Sequence, residues 1–457
     1  MAVGIERLLN WLQPAAKRGY DAASRSRRTA GWNTRPTGAN REIALGLTTL
    51  RDRHRDLARN NPWARRAIQA IVNNTIGAGI RAQWSSEPRQ ALWSQRFERE
   101  CDADGRVAGY GLQALAMRSI VESGEVLIRR RPRRPADGLR VPLQLQILEP
   151  DYLDHAKSGA LSGGGWITQG VEFDAIGRRV AYWLFSEHPG DPTARRVTVS
   201  TRQPASDILH VYRIDRPGQV RGVPWGTGAM LRLRMLDDYA DAQLERQRLA
   251  ACYMAFVTDT ESPTDSSASD LVDKLEPGAI EILPPGRDVS FASPPQPEDD
   301  KEFRLGILHA CAADYGVPYE TLTGDLSQVN FSSARMGWNE FSRNIDVWRW
   351  HMLTPLLFNP LAGWFLEAAE VAGVDTGAPD LPLWTAPARV MVDATREVPA
   401  IKDAVRAGLL SLPEAIRQQG YDPDTLIQEQ AGFLAKLDAL GIQWDTDPRA
   451  DKAAFGK

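Results

Sequence analysis

The stretch DILHVYRIDRPGQVRGVPWGTGAMLRLRMLDDYADAQLERQRLAA, residues 207–251, changes period at its middle. DILHVYRI alternates in the β sense and reads as a strand. A turn-rich piece with Pro217, Gly218, Gly222, Pro224, Gly226 and Gly228 follows. From Ala229 the period is helical, with Leu233, Leu236, Ala240 and Leu244 on one stripe and Asp, Glu and Arg elsewhere. That helix covers roughly 22 residues, about 33 Å at 1.5 Å per residue. A strand-built region hands over to a helix-built one here, which makes the fold class α+β.

Upstream, EVLIRR (125–130) and VPLQLQIL (141–148) read as strands, with Val141, Leu143, Leu145 and Ile147 on one side. VEFDAIGRRVAYWLF (171–185) reads as a hairpin turning at Gly177, and RRVTVS (195–200) as a further strand. Order is expected to begin near Leu50. Asn61 is a good N-cap and Pro62 suits a first helical position. Trp63, Ala67, Ile68, Ile71, Val72 and Thr75 share a face of that helix, which Gly77 and Gly79 end. A second helix is expected over about 112–122. The first 49 residues, rich in Arg, Ser, Thr and Gly, read as a flexible basic arm: either a solvated tail or a contact with nucleic acid or scaffold.

Downstream, YMAFVTD (253–259) and AIEILPPGRDVSF (279–291) look like strands around a short helix, SDLVDKL (269–275), in an acidic, Pro-rich segment. KEFRLGILHACAADYG (301–316) is a second helix, with Glu298, Asp299 and Asp300 where its dipole favours anions and Pro318 marking its end. A polar loop leads to Ser332 and Ser333, both credible N-caps of a long helix. Trp338, Phe341, Ile345, Trp348 and Met352 recur along it at spacings of three and four, and Pro355 should kink or break it. Beyond about residue 376 come a Pro-rich crossing, short amphipathic helices and a polar tail after Trp444.

The chain has 457 residues, 43% hydrophobic and 25% charged, with net charge −3 and a pI near 6.2. Two to four folding units fit at roughly 100–200 residues each. A dedicated DNA gripper would be clearly basic, so any DNA this protein meets is expected to be held weakly. Cys101, Cys252 and Cys311 form no CxxC pair, which points to a reducing compartment rather than a disulfide scaffold. No stretch is apolar enough for a signal peptide or a membrane span, and the expected product is soluble and intracellular when made.

Catalytic signatures fail one by one. There is no GxxxxGK[ST] loop, GxSxG elbow or HExxH pair. His309 and Cys311 are two apart on a helix and point to different faces. Asp151, Asp154 and His155 read as turn residues rather than metal ligands, and Trp63, Trp338 and Trp348 as core. No catalytic residue, metal or cofactor is expected. Fourteen tryptophans suggest large buried contacts, including contacts between subunits.

Three segments are specific. HVYRIDRPGQVRGVPWGTG (210–228), ADYGVPYETLTGDLSQVNFSSARMGWNEF (313–341) and RDLARNNPWARRAIQAIVNNTIGAGI (55–80) resemble, in this order and spacing, the hallmark stretches of the lambda-type phage portal family. The resemblance covers roughly residues 50 to 440. It implies a ring, typically of twelve subunits, at one capsid vertex. Such a ring nucleates head assembly, docks the terminase large subunit, conducts double-stranded DNA, and binds capsid, scaffold, head-completion and tail connector proteins. The implied layout is an arm (1–49), a wing (50–225), stem helices (226–250 and 298–316) and a clip between them (251–297). It continues with a tunnel loop (317–331), a long kinked wing helix (332–375) and a helical crown with a tail (376–457).

The resemblance places Thr323, Gly324, Asp325, Ser327, Gln328, Asn330 and Phe331 in the tunnel loop facing DNA. Polar but not basic loop residues would let phosphate slide past. Arg335 is read two ways, as a phosphate contact or as an ion pair on the helix's first turn. Asp265, Asp270, Asp273, Lys274 and Glu276 are expected to carry docking at the clip. The rival readings are a monomeric head–tail adaptor or minor head protein, and a packaging enzyme. The expected place is the portal vertex of the virion, and the host cytoplasm during assembly.

Overall fold

The computed structural model describes residues 23, 27–32, 34–192, 199–251, 255–259, 287–291, 300–327, 329–374, 380–389, 391, 393–444 and 447. It opens with two helices, α1 (Ala39–Asn60) and α2 (Pro62–Thr75). Regular helix is therefore present from Ala39, ahead of the start expected near Leu50. The arginine-rich composition hid this, because Arg41 and Arg53 lie on the exposed side of α1 while Leu47, Arg51 and His54 lie on the buried side. Asn40 fixes the first turn by donating to the Gly218 carbonyl (2.9 Å) and accepting from the Val220 N–H (2.8 Å). Asn61 caps α2 as expected, accepting from the Ala64 N–H at 2.9 Å. Ala67, Ile68 and Ile71 are fully buried.

A short strand β1 (Arg81–Gln83) and helix α3 (Glu87–Leu92) precede α4 (Gly109–Ser123), which Gly124 ends at φ +90. Then come β2 (Glu125–Pro132), β3 (Leu143–Leu148), β4 (Gly159–Ala160), β5 (Trp166–Thr168), β6 (Val171–Phe173), β7 (Arg179–Leu184), β8 (Thr201–Pro204) and β9 (Ile208–Tyr212). They form two antiparallel sheets, ordered β3-β2-β9 and β4-β5-β6-β7-β8. The period-2 pattern splits the three-stranded sheet between two cores. Val126, Ile128, Leu145 and Val211 pack with the helices, while Leu127, Leu148 and Ile208 pack with Val171, Tyr182 and Leu184 of the second sheet. Of the strand expected over 195–200, residues 195–198 lie outside the described residues; strand structure resumes at Thr201.

The helical half begins with α5 (Met230–Ala251) and α6 (Asp300–Tyr315), packed side by side. Between them β10 (Ala255–Asp259) pairs antiparallel with β11 (Arg287–Phe291); the helix expected over 269–275 is outside the described residues. Leu233 and Leu236 are buried as expected, but Ala240 and Leu244 are exposed, because only the N-terminal half of α5 packs into the main core. A short helix α7 (Tyr319–Thr323) leads to α8 (Phe331–Val347). Pro355 does not break the helix that follows. Trp348–Phe358 winds with wider π-type turns and runs straight into α9 (Asn359–Val371). The wider turn absorbs the missing N–H, and the Thr354 hydroxyl donates to the Arg349 carbonyl at 2.9 Å. The chain returns to pair β12 (Leu383–Thr385) with β1, then ends in α10 (Ala394–Arg406), α11 (Leu412–Gln418) and α12 (Pro423–Leu440).

Candidate functional site

The turn-rich piece at 213–228 joins strand β9 to helix α5. The Gln219 side chain closes the turn: its oxygen accepts the N–H groups of Asp215 and Arg216 (2.9 and 3.1 Å), and its amide donates to the Arg221 carbonyl (2.8 Å). Arg221 is fully buried and donates from Nε to both Glu125 carboxylate oxygens at 2.9 and 3.1 Å. Arg51 (3.0 Å), the Gly222 N–H (2.8 Å) and His210 Nε2 (2.8 Å) complete the shell of Glu125. Burial would raise the Glu125 carboxyl, but Arg221 and His210 outweigh it and hold the group well below the usual range. Arg179 donates to His210 Nδ1 (3.2 Å), so the ring is neutral with its proton on Nε2 toward Glu125. Burial, against the pull of Glu125, pushes His210 down to about 4.

The PWGTG end packs between α1, α6 and the helix that starts at Trp348. Trp225 packs on Trp348 with ring centres 4.8 Å apart. His54 donates to the Glu122 carbonyl (2.6 Å) and accepts from the Tyr315 hydroxyl (2.7 Å), which joins α1 to α6. Gly226 lies against that pair, where a β-carbon would collide with both rings. Asp314 accepts the Ala229 N–H at 2.8 Å. Sequence reading singled out this stretch but not Glu125, which begins an ordinary strand and whose partner Arg221 is 96 residues away.

The expected tunnel loop is shorter than the expected range. Tyr319–Thr323 is helical, and Gly324, at φ +75, ends it by donating to the Glu320 carbonyl (2.7 Å). Arg66 of α2 donates to the Thr321 carbonyl (2.8 Å) and His309 stacks on Tyr319, so the base of the loop is fixed. Thr323 donates to the Tyr319 carbonyl and accepts from the Asp325 N–H (2.9 and 3.1 Å). Asp325 accepts from the Ser327 N–H (2.9 Å), which holds its carboxyl below the ordinary value. Gln328 is outside the described residues, and Phe331 already belongs to α8. The N-cap is Asn330, not Ser332 or Ser333. Its side chain accepts from the Ser333 N–H (2.9 Å) while the Ser333 hydroxyl accepts from the Asn330 N–H (3.1 Å), a capping box two residues earlier than expected.

Arg335 is exposed and forms no ion pair among the described residues. It borders a groove of about 1080 Å³ between α8 and the chain after residue 380, whose walls include Trp338, Arg349, Trp384 and Arg389. The clip residues Asp265, Asp270, Asp273, Lys274 and Glu276 lie outside the described residues. Asp151 meets Arg55 (2.6 Å) and Arg51 (3.5 Å), and Asp154 accepts from Ser200 (2.6 Å). Glu149, Asp151 and His188 converge at the surface, where Arg55 already neutralises both carboxylates. Burial pushes the Cys101 thiol up to about 12 and Cys311 up to about 11, away from nucleophilic use.

The fold is similar to chains of solved phage-like particles. One, from "Neck of native GTA particle computed with C12 symmetry", matches with TM-score 0.50 and 16% identity, covering 80% of this chain and 93% of that one. Another, from "Virion of native gene transfer agent (GTA) particle", matches with the same TM-score and identity, covering 85% of this chain and all of that one. The family profile "Phage portal protein, lambda family" matches residues 25–349. The chain belongs to the lambda family of phage portal proteins. It is 26% identical to "Probable portal protein" of Halomonas phage phiHAP-1, covering 94% of this chain and 89% of that one. "Portal protein B" of Escherichia phage lambda is 21% identical, covering 90% and 88%. Membership makes this a structural protein of the virion and sets aside a packaging enzyme.

Proposed function

We propose that the chain assembles head-to-tail into a closed ring of twelve at the portal vertex, through which double-stranded DNA enters and leaves the head. The stem is α5 with α6, the wing precedes it, and the helices after residue 393 form the crown. One observation carries the ring: Leu231, Met235, Leu244 and Phe303 of the stem are 69, 67, 55 and 53% exposed in the single chain. Such an apolar patch suits burial against a neighbouring copy, and a head-to-tail contact that closes makes a ring. The C12 symmetry of the similar neck particle supports twelve. The 324–330 loop, polar and rooted on α2 and α6, fits a collar that meets DNA without gripping it. The clip would dock the terminase large subunit, then head-completion and tail connector proteins, with capsid and scaffold proteins around the wing; assembly would take place in the host cytoplasm.

Mass photometry of the full chain tests this. The expected particle is twelve chains of 50.6 kDa, roughly 600 kDa, with a central hole in electron micrographs. Only monomers and dimers, across several salt concentrations, would overturn the ring in favour of a monomeric adaptor. Reversing Asp270 and Asp273 to Lys should weaken terminase binding and leave rings intact, since acidic surfaces steer basic partners.

A further inference from the structure

The β2–β3 hairpin carries a charge pattern that the roles proposed for the stem and the 324–330 loop do not account for. Six arginines (129, 130, 131, 133, 134 and 140) fall between residues 129 and 140, with Asp137 as the one acid. The strand register sorts them. Arg129 stands opposite Gln146 and Arg131 opposite Gln144, on the same face as the buried pair Leu127 and Leu148. That face thus begins under the second sheet and turns polar toward the hairpin end. Arg129 donates to Gln146 (3.1 and 2.6 Å) and Arg133 to Gln144 (2.7 Å), so neutral amides hold these guanidiniums in a row. Residues two apart on a strand are about 6.7 Å apart.

The charge is largely uncompensated. Arg130, on the other face, pairs with Glu367 at 2.6 Å. Asp137 is engaged by the Arg134 backbone N–H at 2.9 Å. Asp102, near the edge of β3, is occupied by the backbone N–H groups of Asp104, Arg106 and Val107. Arg129, Arg131, Arg133, Arg134 and Arg140 form no ion pair among the described residues. Burial, and then the like charge of Arg131, lower Arg129.

We propose that this arginine–glutamine ladder and its turn are a docking surface for the phosphate backbone of double-stranded DNA, separate from the channel. A row of guanidiniums at strand spacing fits a linear polyanion, and each can hold a phosphate with two donors. The lack of apolar anchors favours nucleic acid over an acidic protein: among the described residues no large hydrophobic side chain between Leu115 and Leu161 is exposed, whereas protein interfaces bury an apolar centre. The choice of duplex DNA rests on the portal reading proposed for the chain.

The test uses the full chain and avoids residues that hold the fold. Arg131, Arg134 and Arg140 are changed to Gln, since none has a side-chain partner among the described residues. Binding of a short labelled random-sequence duplex is followed by fluorescence anisotropy over a salt series, with ring formation checked by mass photometry on the same samples. Each phosphate that the protein no longer neutralises lowers the slope of log K against log salt by about 0.9, so the slope should fall by roughly 2.7 in the triple variant. Arg→Lys changes at the same positions should keep most of the slope. A control triple, Arg41, Arg53 and Arg59 to Gln, should lower it less. Unchanged binding by a ring-forming triple variant overturns the proposal while leaving the portal reading intact; failure of the unmodified chain to form rings would sink that reading instead. Equal reductions in the two triples, or labelled poly-glutamate binding wild type more tightly than DNA, would also overturn it.

Discussion

At the scale of single residues, Glu125 is the point on which the wing depends. Its carboxylate satisfies Arg51, Arg221, His210 and a backbone N–H in a site closed to water. Glu125→Gln would leave the buried Arg221 guanidinium without a counter-charge and Arg51 with only Asp151 at 3.5 Å, a loss on the order of 3–5 kcal/mol seen when one partner of a buried pair is removed. A thermal melt should show a clearly lower midpoint; an unchanged one would mean water reaches the cluster. The same site sets an acid limit. His210 is lowered from its ordinary value to about 4, so between about pH 6.5 and 4 the unfolded chain binds the proton that the folded chain refuses. Stability is full above pH 6.5 and falls as pH drops through that window, by up to about 1.4 kcal/mol per pH unit for this group. Glu125, also depressed, adds loss in the same direction below its unfolded value near 4.5. Denaturant midpoints from pH 7 to 4.5 should fall, and less steeply in His210→Gln. Gly222 is a third such position: a methyl there would run into the Gly124 carbonyl, and Gly222→Ala should cost about 1–3 kcal/mol in equilibrium unfolding.

Among the elements, α8 and the loop before it show how far local rules reach. Asn330, Ser332 and Ser333 are all acceptable N-caps within four positions, and helix periodicity locates the element without choosing among them. The winner is settled by the base of the loop, where Gly324 turns the chain and α7 is held on α2. Asn330→Ala should therefore lower the melting midpoint of the chain by the worth of one cap, roughly 1 kcal/mol. Pro355 shows the opposite failure of a local rule. It forbids a regular α-helix, yet buried Trp348, Met352, Leu353 and Leu357 hold the segment in place, and the backbone widens instead of breaking. Replacing 325–329 by two glycines should spare ring assembly but impair retention of packaged DNA, read as the filled fraction of heads. Normal filling would remove the loop from the mechanism.

For the whole molecule, the exposed apolar stem makes the prediction. Leu244→Glu with Phe303→Glu adds charge at side chains more than half exposed in the single chain, Phe303 giving up only its ring contact with Tyr239, so the isolated chain should keep its fold with little change in melting midpoint. In the proposed ring those positions would face a neighbour, and mass photometry should show the large particle replaced by single chains. Rings that persist would place the subunit contact elsewhere. The α10 helix, amphipathic in sequence with no buried residue, belongs to the same pattern of faces that one chain leaves uncovered.

What the sequence determined by itself was local and periodic. The switch from period two to helical period after Gly228, the capped helix at Asn61 and the alternating hairpins are all set by patterns within a dozen residues, and they stand in the structure. The motif at 213–228 was visible as a motif, but its role was not. Only the tertiary structure decided that Arg221 meets Glu125, that His54 meets Tyr315, and that α1 begins at Ala39. Each of these depends on groups brought together from far along the chain, 261 residues apart for His54 and Tyr315. The same holds for the outer half of α5, whose stripe reads as core in sequence. A hydrophobic period states that a face will be covered, and only the packed chain shows whether its own residues cover it.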